Sequence, residues 1–246
     1  SGKTAATCTV LAALSRRGLN PHPFKVGPDF IDPQYHRIAA GTASHTLDLH
    51  LMGNDGIRET LARHAANGIA VVEGVMGLFD GMSPDHDDGS TAHVAEITGW
   101  PVVLVLDASG GGRTLAKTVQ SLKKTVLPDL AGAIVTRSAG ASHTDYLRSA
   151  FTSCGIPLLG ALPKSATLDW KPRYLGLTAP TEFRTASAAE LATLAEHHLD
   201  IDSLIAACRP GNALTAPPHR EVHPPSTTVT KPKTVAVAID DAFHFL

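Results

Sequence analysis

The sequence predicts an α/β fold, a mostly parallel sheet with helices on both faces. Three observations predict it. Apolar runs recur at 69–73, 101–107, 131–136 and 156–162, short enough for strands and continuous enough to be buried on both faces. Helical patterns separate these runs and short loops join them, the spacing of right-handed strand–helix–strand crossovers. Two of the runs end in a carboxylate, Glu73 and Asp107, and each then gives way to a glycine-rich loop. Ligands of open α/β sheets sit beyond the carboxyl ends of the strands.

At 246 residues, 43% hydrophobic and 18% charged, the chain can hold one large α/β domain, or one such domain with a fragment of another. A net charge of -2 gives no support to a nucleic-acid partner or an anionic membrane surface. No apolar run approaches the roughly 20 residues of a membrane span. Cys8, Cys154 and Cys208 are odd in number and widely spaced, so neither a disulfide framework nor a cysteine zinc site is expected. They read as core or helix residues in a reducing cytoplasm. No secretory signal is evident, and the expected localisation is cytoplasmic. The thirteen histidines are scattered without a clear i, i+4 metal pair, and His197-His198 read as surface residues.

Ser1-Gly2-Lys3-Thr4 opens a helix that runs to Arg17, with Val10, Leu11 and Leu14 at helical spacing and Gly18 as its stop. Gly-Lys-Thr before a helix is the second half of the phosphate-binding loop G-x-x-x-x-G-K-[ST]. Backbone N–H groups at the helix start and the Lys3 ammonium suit polyphosphate, and the Thr4 hydroxyl suits Mg²⁺. The fold expected is therefore that of P-loop nucleotide-binding proteins, with the chain beginning inside its own nucleotide loop. The first strand and the first half of that loop are expected to precede Ser1.

A short strand from Pro23 then enters the turn Gly27-Pro28-Asp29-Phe30-Ile31-Asp32-Pro33. Asp29 and Asp32, three residues apart, can converge on a cation or face a substrate. Asp32 also reads as the N-cap of a helix with Pro33 at its first position, carrying Tyr35 and His36. Residues 55–66 read as an amphipathic helix capped by Asn54 and stopped at Asn67-Gly68. The strand 69–73 follows. In the loop beyond it, Gly74, Gly77 and Gly81 permit close approach to a ligand, while Glu73 and Asp80 offer oxygen to a metal or substrate.

Residues 85–89 form an acidic patch that reads as solvated surface. Helices are expected at 90–98, 115–124, 143–153, 186–198 and 202–208, and the second glycine-rich loop at 109–114. The segment Arg173-Tyr174-Leu175-Gly176-Leu177 has no clear period. From 209 to 233 the composition turns to Pro, Ser, Thr and His, a linker. A fresh strand at 234–239 reads as the start of a second domain cut short. The expected organisation is a nucleotide-binding domain at 1–208, the linker at 209–233 and the opening strand of another domain at 234–246.

Three stretches resemble one family. Phe24-Lys25-Val26-Gly27-Pro28-Asp29-Phe30-Ile31-Asp32-Pro33, Glu73-Gly74-Val75-Met76-Gly77-Leu78-Phe79-Asp80-Gly81 and Arg173-Tyr174-Leu175-Gly176-Leu177 look like signatures of the cobyrinic acid a,c-diamide synthases. The closing Val-Ala-Ile-Asp-Asp-Ala-Phe-His-Phe resembles the opening of that family's class I glutamine amidotransferase domain. The resemblance implies a dethiobiotin-synthetase-like fold and an ATP-dependent amidation of a corrinoid, in cobalamin biosynthesis. In that reaction two acetate carboxylates, a and c, are activated in turn as acyl phosphates, and ammonia derived from glutamine displaces phosphate. It further implies Ser1, Gly2, Lys3, Thr4 and Arg173 at the nucleotide, and Thr4, Asp29 and Glu73 around Mg²⁺. The catalytic set so implied is Asp29, Asp32, Glu73 and Asp80, with Asp32 and Asp80 ordering the substrate side. A homodimer is the family's expectation.

The chain departs from the family pattern at four positions. Phe30 stands where Tyr is common, Thr46 where Asn is usual, Thr136 where an Asn could read adenine, and Tyr174 where His is usual. The glutaminase nucleophile and its histidine are not in this sequence, so it is expected to use free ammonia at best, and weakly. Two alternatives are a Ni-sirohydrochlorin a,c-diamide synthase and a partitioning-type switch ATPase. The switch leaves Asp29, Asp32 and the Glu73 loop unexplained.

Overall fold

Parallel ladders organise the molecule in two halves. In the computed structural model the described residues are 1–65, 67–125, 130–168 and 186–208, with the backbone of Pro172–Arg173 and Gly176–Leu177. The expected linker at 209–233 and strand at 234–239 lie outside the described residues, as does the Arg173 side chain.

The first half contains β1 (Pro21–Val26), β2 (His45–Leu47) and β3 (Ile69–Glu73), in the order β2-β1-β3. The second contains β4 (Val102–Asp107), β5 (Leu130–Ser138) and β6 (Leu158–Pro163), in the order β4-β5-β6. Every pairing in both halves is parallel. A two-residue antiparallel pair, β7 (Pro172–Arg173) and β8 (Gly176–Leu177), accounts for the segment whose sequence shows no period.

The helices are α1 (Lys3–Arg16), α2 (Asp32–Ala40), α3 (Leu49–His64), α4 (Thr91–Thr98), α5 (Arg113–Thr125), α6 (Ala141–Ser153), α7 (Ala188–His198) and α8 (Ile201–Ala207). Because strand side chains alternate between faces, each strand feeds two cores. In β3, Ile69 and Val71 pack with Ala13 and Leu14 of α1, while Ala70 and Val72 pack with Ile57, Leu61 and Val94 of α3 and α4. In β4, Val103 and Val105 join the α1 side, and Leu104 and Leu106 pack with Ala116, Val119 and Phe151 of α5 and α6. One layer is thus α1, α2, α7 and α8; the other is α3 to α6. This is the predicted α/β architecture, with α1 spanning both halves from one face.

Four local expectations are corrected. Strand β2 was not anticipated, since three residues carry no readable period. Helix α3 begins at Leu49 rather than Asp55, because the Asp48 carboxylate accepts from the backbone N–H of His50 and Leu51 and caps it there. Gly53, at φ 62° and ψ -176°, then breaks α3 into two segments. Asp32 makes no cap bond. Instead Asp29 Oδ1 accepts from the N–H of Ile31 and Asp32, at 2.8 and 3.1 Å. His198 is half-buried, although its neighbour His197 is exposed as expected.

Helix α7 lies on α1 and opens with a capping box: Ser187 Oγ accepts from Glu190 N–H, and Glu190 Oε2 accepts from Ser187 N–H. Ser187→Ala should therefore cost about 1 kcal/mol of unfolding free energy, read as a lower urea midpoint at unchanged slope. Cys8 and Cys154 are buried, Cys208 is exposed, and all three thiols are free. Burial pushes the Cys8 thiol well above its ordinary pKa, which leaves it inert. Among the described residues no helix is long and apolar enough to cross a membrane.

Candidate active site

The carboxyl ends of β1 and β3 and the start of α1 meet in one buried cluster. Glu73 closes β3, Lys25 lies one residue from the end of β1, and the two are register partners across the ladder. Parallel pairing therefore brings an acid and a base side by side. Glu73 Oε1 accepts from Thr4 Oγ1 at 2.8 Å and from Lys25 Nζ at 3.1 Å, and its Oε2 meets His36 Nε2 at 2.6 Å. Lys25 Nζ also reaches Asp32 Oδ2 at 2.6 Å, the Gly74 carbonyl at 3.1 Å and Asp29 Oδ2 at 3.8 Å. His36 Nδ1 contacts Ser44 Oγ at 3.0 Å.

Lys25, Asp32, His36 and Glu73 are 3%, 4%, 0% and 3% exposed. Groups this deep are retained only when paired. Burial alone would raise the Glu73 pKa, yet the His36 hydrogen bond, the Lys25 charge and the Thr4 hydroxyl hold it below the ordinary carboxylate value. Burial likewise opposes the Lys25 charge, but Glu73 and Asp32 more than offset it and keep the ammonium above its ordinary pKa.

Sequence reasoning named Asp29, Asp32 and Glu73 and gave no role to Lys25 or His36. A lysine inside a strand otherwise made of buried residues is the signal that could have found the first. His36 is placed by helical geometry, four residues past Asp32 on the same face of α2.

Lys3, at the first turn of α1, donates to the Met76 carbonyl at 2.6 Å and to Ser1 Oγ at 3.3 Å. Burial and the nearby Lys25 charge lower its pKa, against the Glu73, Asp32 and Asp80 charges, which raise it. Gly2 takes the left-handed conformation, φ 75°, as N-cap of α1. Asp80 Oδ2 accepts from Gly77 N–H at 2.7 Å and so shapes the loop after β3. Val75 N–H donates to Thr91 Oγ1 at 3.1 Å, tying that loop to α4.

Thr136, where an adenine-reading residue is expected, donates to the Ser1 carbonyl at 2.8 Å, and its methyl lies 3.2 Å from where a Gly2 Cβ would stand. It packs the start of α1 against β5. Phe30 is 58% exposed, and its ring adds no hydroxyl at the cluster's rim.

The structure brings Thr4 and Glu73 into direct contact, while Asp29 joins them through Lys25 and spends its other oxygen on the α2 backbone. Among the described residues no three His, Cys, Asp or Glu side chains are grouped to hold a metal by themselves. One oxygen, Asp32 Oδ1, is buried with no hydrogen-bond partner, an orphan in a cluster where every other buried side-chain atom is paired.

Residues 1–173 match the family described as CbiA, the CobQ/CobB/MinD/ParA nucleotide binding domain. The whole chain aligns at 39% identity with a cobyrinate a,c-diamide synthase of Listeria monocytogenes, covering 55% of that protein. It aligns at 40% identity with a hydrogenobyrinate a,c-diamide synthase of Mycobacterium bovis, again over 100% of the chain and 55% of the relative. A cobyrinate a,c-diamide synthase of Thermoplasma volcanium is 37% identical over 99% of the chain and 53% of its own length. The chain spans about half the length of the curated relatives it matches.

Proposed function

The chain belongs to the CobQ/CobB/MinD/ParA nucleotide binding domain family, and from that premise we propose that it is the ATP-using part of a corrinoid a,c-diamide synthase. The observation that carries this is the Thr4–Glu73 contact of 2.8 Å, made on the same helical turn as Lys3. A hydroxyl, an acid and a lysine at one helix start are the groups that phosphoryl transfer from ATP requires.

The residues present fit Mg²⁺. Thr4 Oγ1, Glu73 and the unpartnered Asp32 Oδ1 are hard oxygen donors, and Mg²⁺ is commonly held by one or two carboxylates with phosphate oxygens and water completing its shell. When bound, it supplies charge neutralisation at the β- and γ-phosphates. The chain's own groups do the rest. Lys3 and the α1 backbone hold the phosphates. Lys25 helps hold Glu73 ionised and bridges it to Asp32. Asp29, near Lys25, and Asp80, in the loop after β3, would order the carboxylate substrate and the incoming ammonia. A substrate carboxylate oxygen attacks the γ-phosphorus and ADP leaves; ammonia then attacks the acyl carbon, phosphate leaves, and an amide remains. In the whole protein the ammonia would come from glutamine, and the active unit would be a homodimer.

The relatives' names divide between cobyrinate and hydrogenobyrinate, so the test supplies both acids separately with Mg-ATP and ammonium. Diamide found by mass, with ADP release that depends on the acid, is expected from one or both. ATP turnover that neither acid stimulates would overturn the corrinoid reading and favour a nucleotide switch.

A further inference from the structure

His36 belongs to the buried cluster yet takes no part in the chemistry described above, and at 0% exposure it lies deeper than Lys25, Asp32 or Glu73. Both of its ring nitrogens have protein partners. Nδ1 lies 3.0 Å from Ser44 Oγ, and Nε2 lies 2.6 Å from Glu73 Oε2. An ionised carboxylate only accepts, so Nε2 carries the hydrogen of that short, charge-assisted contact.

The two oxygens of Glu73 are unequally placed. Oε1 accepts from Thr4 Oγ1 and from Lys25 Nζ. Oε2 hydrogen-bonds only His36 among the described residues. Lys25 is the cation beside this carboxylate, and it is shared with Asp32. A carboxylate held from one side alone would turn toward that ammonium with either oxygen, and Thr4 would lose its fixed acceptor.

On the premise that Mg-ATP binds at the start of α1, we propose that His36 is a positioning residue: Ser44, acting through the imidazole, fixes the Glu73 carboxylate so that Oε1 stays on Thr4. A hydroxyl has one hydrogen and two lone pairs. With its hydrogen committed to Glu73, the Thr4 oxygen keeps its lone pairs for Mg²⁺.

This string of contacts is anchored at both ends. Tyr35, Ala39 and Ala40 of α2 pack against Cys8, Leu11 and Ala12 of α1, and Ser15 Oγ donates to the Ala40 carbonyl at 2.8 Å. The helix that carries His36 is thereby fastened to the helix that carries Thr4. Ser44 lies in the short loop that follows α2. Gly41 ends the helix in the left-handed conformation, φ 74°, and Thr42 Oγ1 donates to the Pro21 carbonyl at 3.0 Å, which ties the loop to the start of β1. Rigid elements and an outer ring of hydrogen bonds are what hold a metal-binding group in one orientation.

Calorimetry of ATP binding, with Mg²⁺ and again with EDTA, reads the effect without turnover. His36→Met and His36→Gln have the same reach, and only the second carries an N–H. The ratio of the two affinities should fall by about tenfold or more in His36→Met, with the affinity in EDTA unchanged. It should return toward the parent value in His36→Gln. A residue that merely filled space would leave the ratio alone and lower the urea midpoint in both variants. A parent-like ratio in His36→Met therefore overturns the proposal, and so does a ratio equally reduced in His36→Gln. If His36→Met does not fold, Ser44→Ala decides, because among the described residues Ser44 Oγ bonds only the His36 ring. There the ratio should fall by about two- to tenfold, the worth of one hydrogen bond, and an unchanged ratio overturns the proposal. A parent that binds ATP no tighter with Mg²⁺ than with EDTA would overturn the nucleotide reading itself, and the role of His36 with it.

Discussion

Replacing Lys25 with methionine should lower unfolding free energy by about 3–5 kcal/mol, the cost of stripping the partner from a buried charge. Methionine reaches as far as the lysine Cε and lacks the ammonium. Asp32 and Glu73, 4% and 3% exposed, would then stand close together with no cation between them. Glu73 would keep the His36 and Thr4 contacts, but Asp32 would have two oxygens without a partner where it now has one. Urea unfolding gives the number. Adding Asp32→Asn to the methionine variant should recover part of the loss, because it deletes one of the two stranded charges, and the non-additivity measures their coupling. Lys25→Arg should not rescue, since a planar guanidinium does not fit a pocket that places four oxygens around one nitrogen. A loss below about 1 kcal/mol would mean that water reaches the cluster and that Lys25 is no more than a surface ion pair.

This cluster marks the boundary of what the sequence made legible. The parallel α/β class was readable because it depends on hydrophobic period and loop spacing, both local properties. The strands ending in Glu73 and Asp107 were readable for the same reason. The contact of Lys25 with Glu73 is a matter of register between strands 48 residues apart, which no local pattern encodes. Asp29 and Asp32 illustrate the same limit at short range. Both stand out by spacing, and either could cap α2. Only the placement of Lys25 decides that Asp29 turns to the backbone and Asp32 to the ammonium. Asp48 has no role in the sequence reading, yet its carboxylate fixes where α3 begins.

The two lysines of the site divide the work between stability and chemistry, and Lys3 tests the second part. Lys3→Ala should leave unfolding free energy within about 0.5–1 kcal/mol of the parent, because among the described residues this half-buried side chain hydrogen-bonds only the Met76 carbonyl and the Ser1 hydroxyl. Lys25, one step deeper, already neutralises the carboxylates. The proposed ATP-dependent step should instead fall by about 10²–10³, the usual cost of deleting one donor aimed at charge that develops during reaction. Nucleotide affinity should fall with it, since phosphate charge is present before reaction as well as during it, so both KM and kcat move. Lys3→Arg should restore little, because the compact ammonium threads between the Gly74–Gly81 loop and the helix start, where it now meets the Met76 carbonyl. Measured side by side, Lys3→Ala and Lys25→Met should be opposites in one respect: the first folds like the parent and turns over poorly, while the second fails first as a folded protein. If Lys3→Ala kept full turnover, the start of α1 would not be where phosphate binds, and the nucleotide assignment would fall with it.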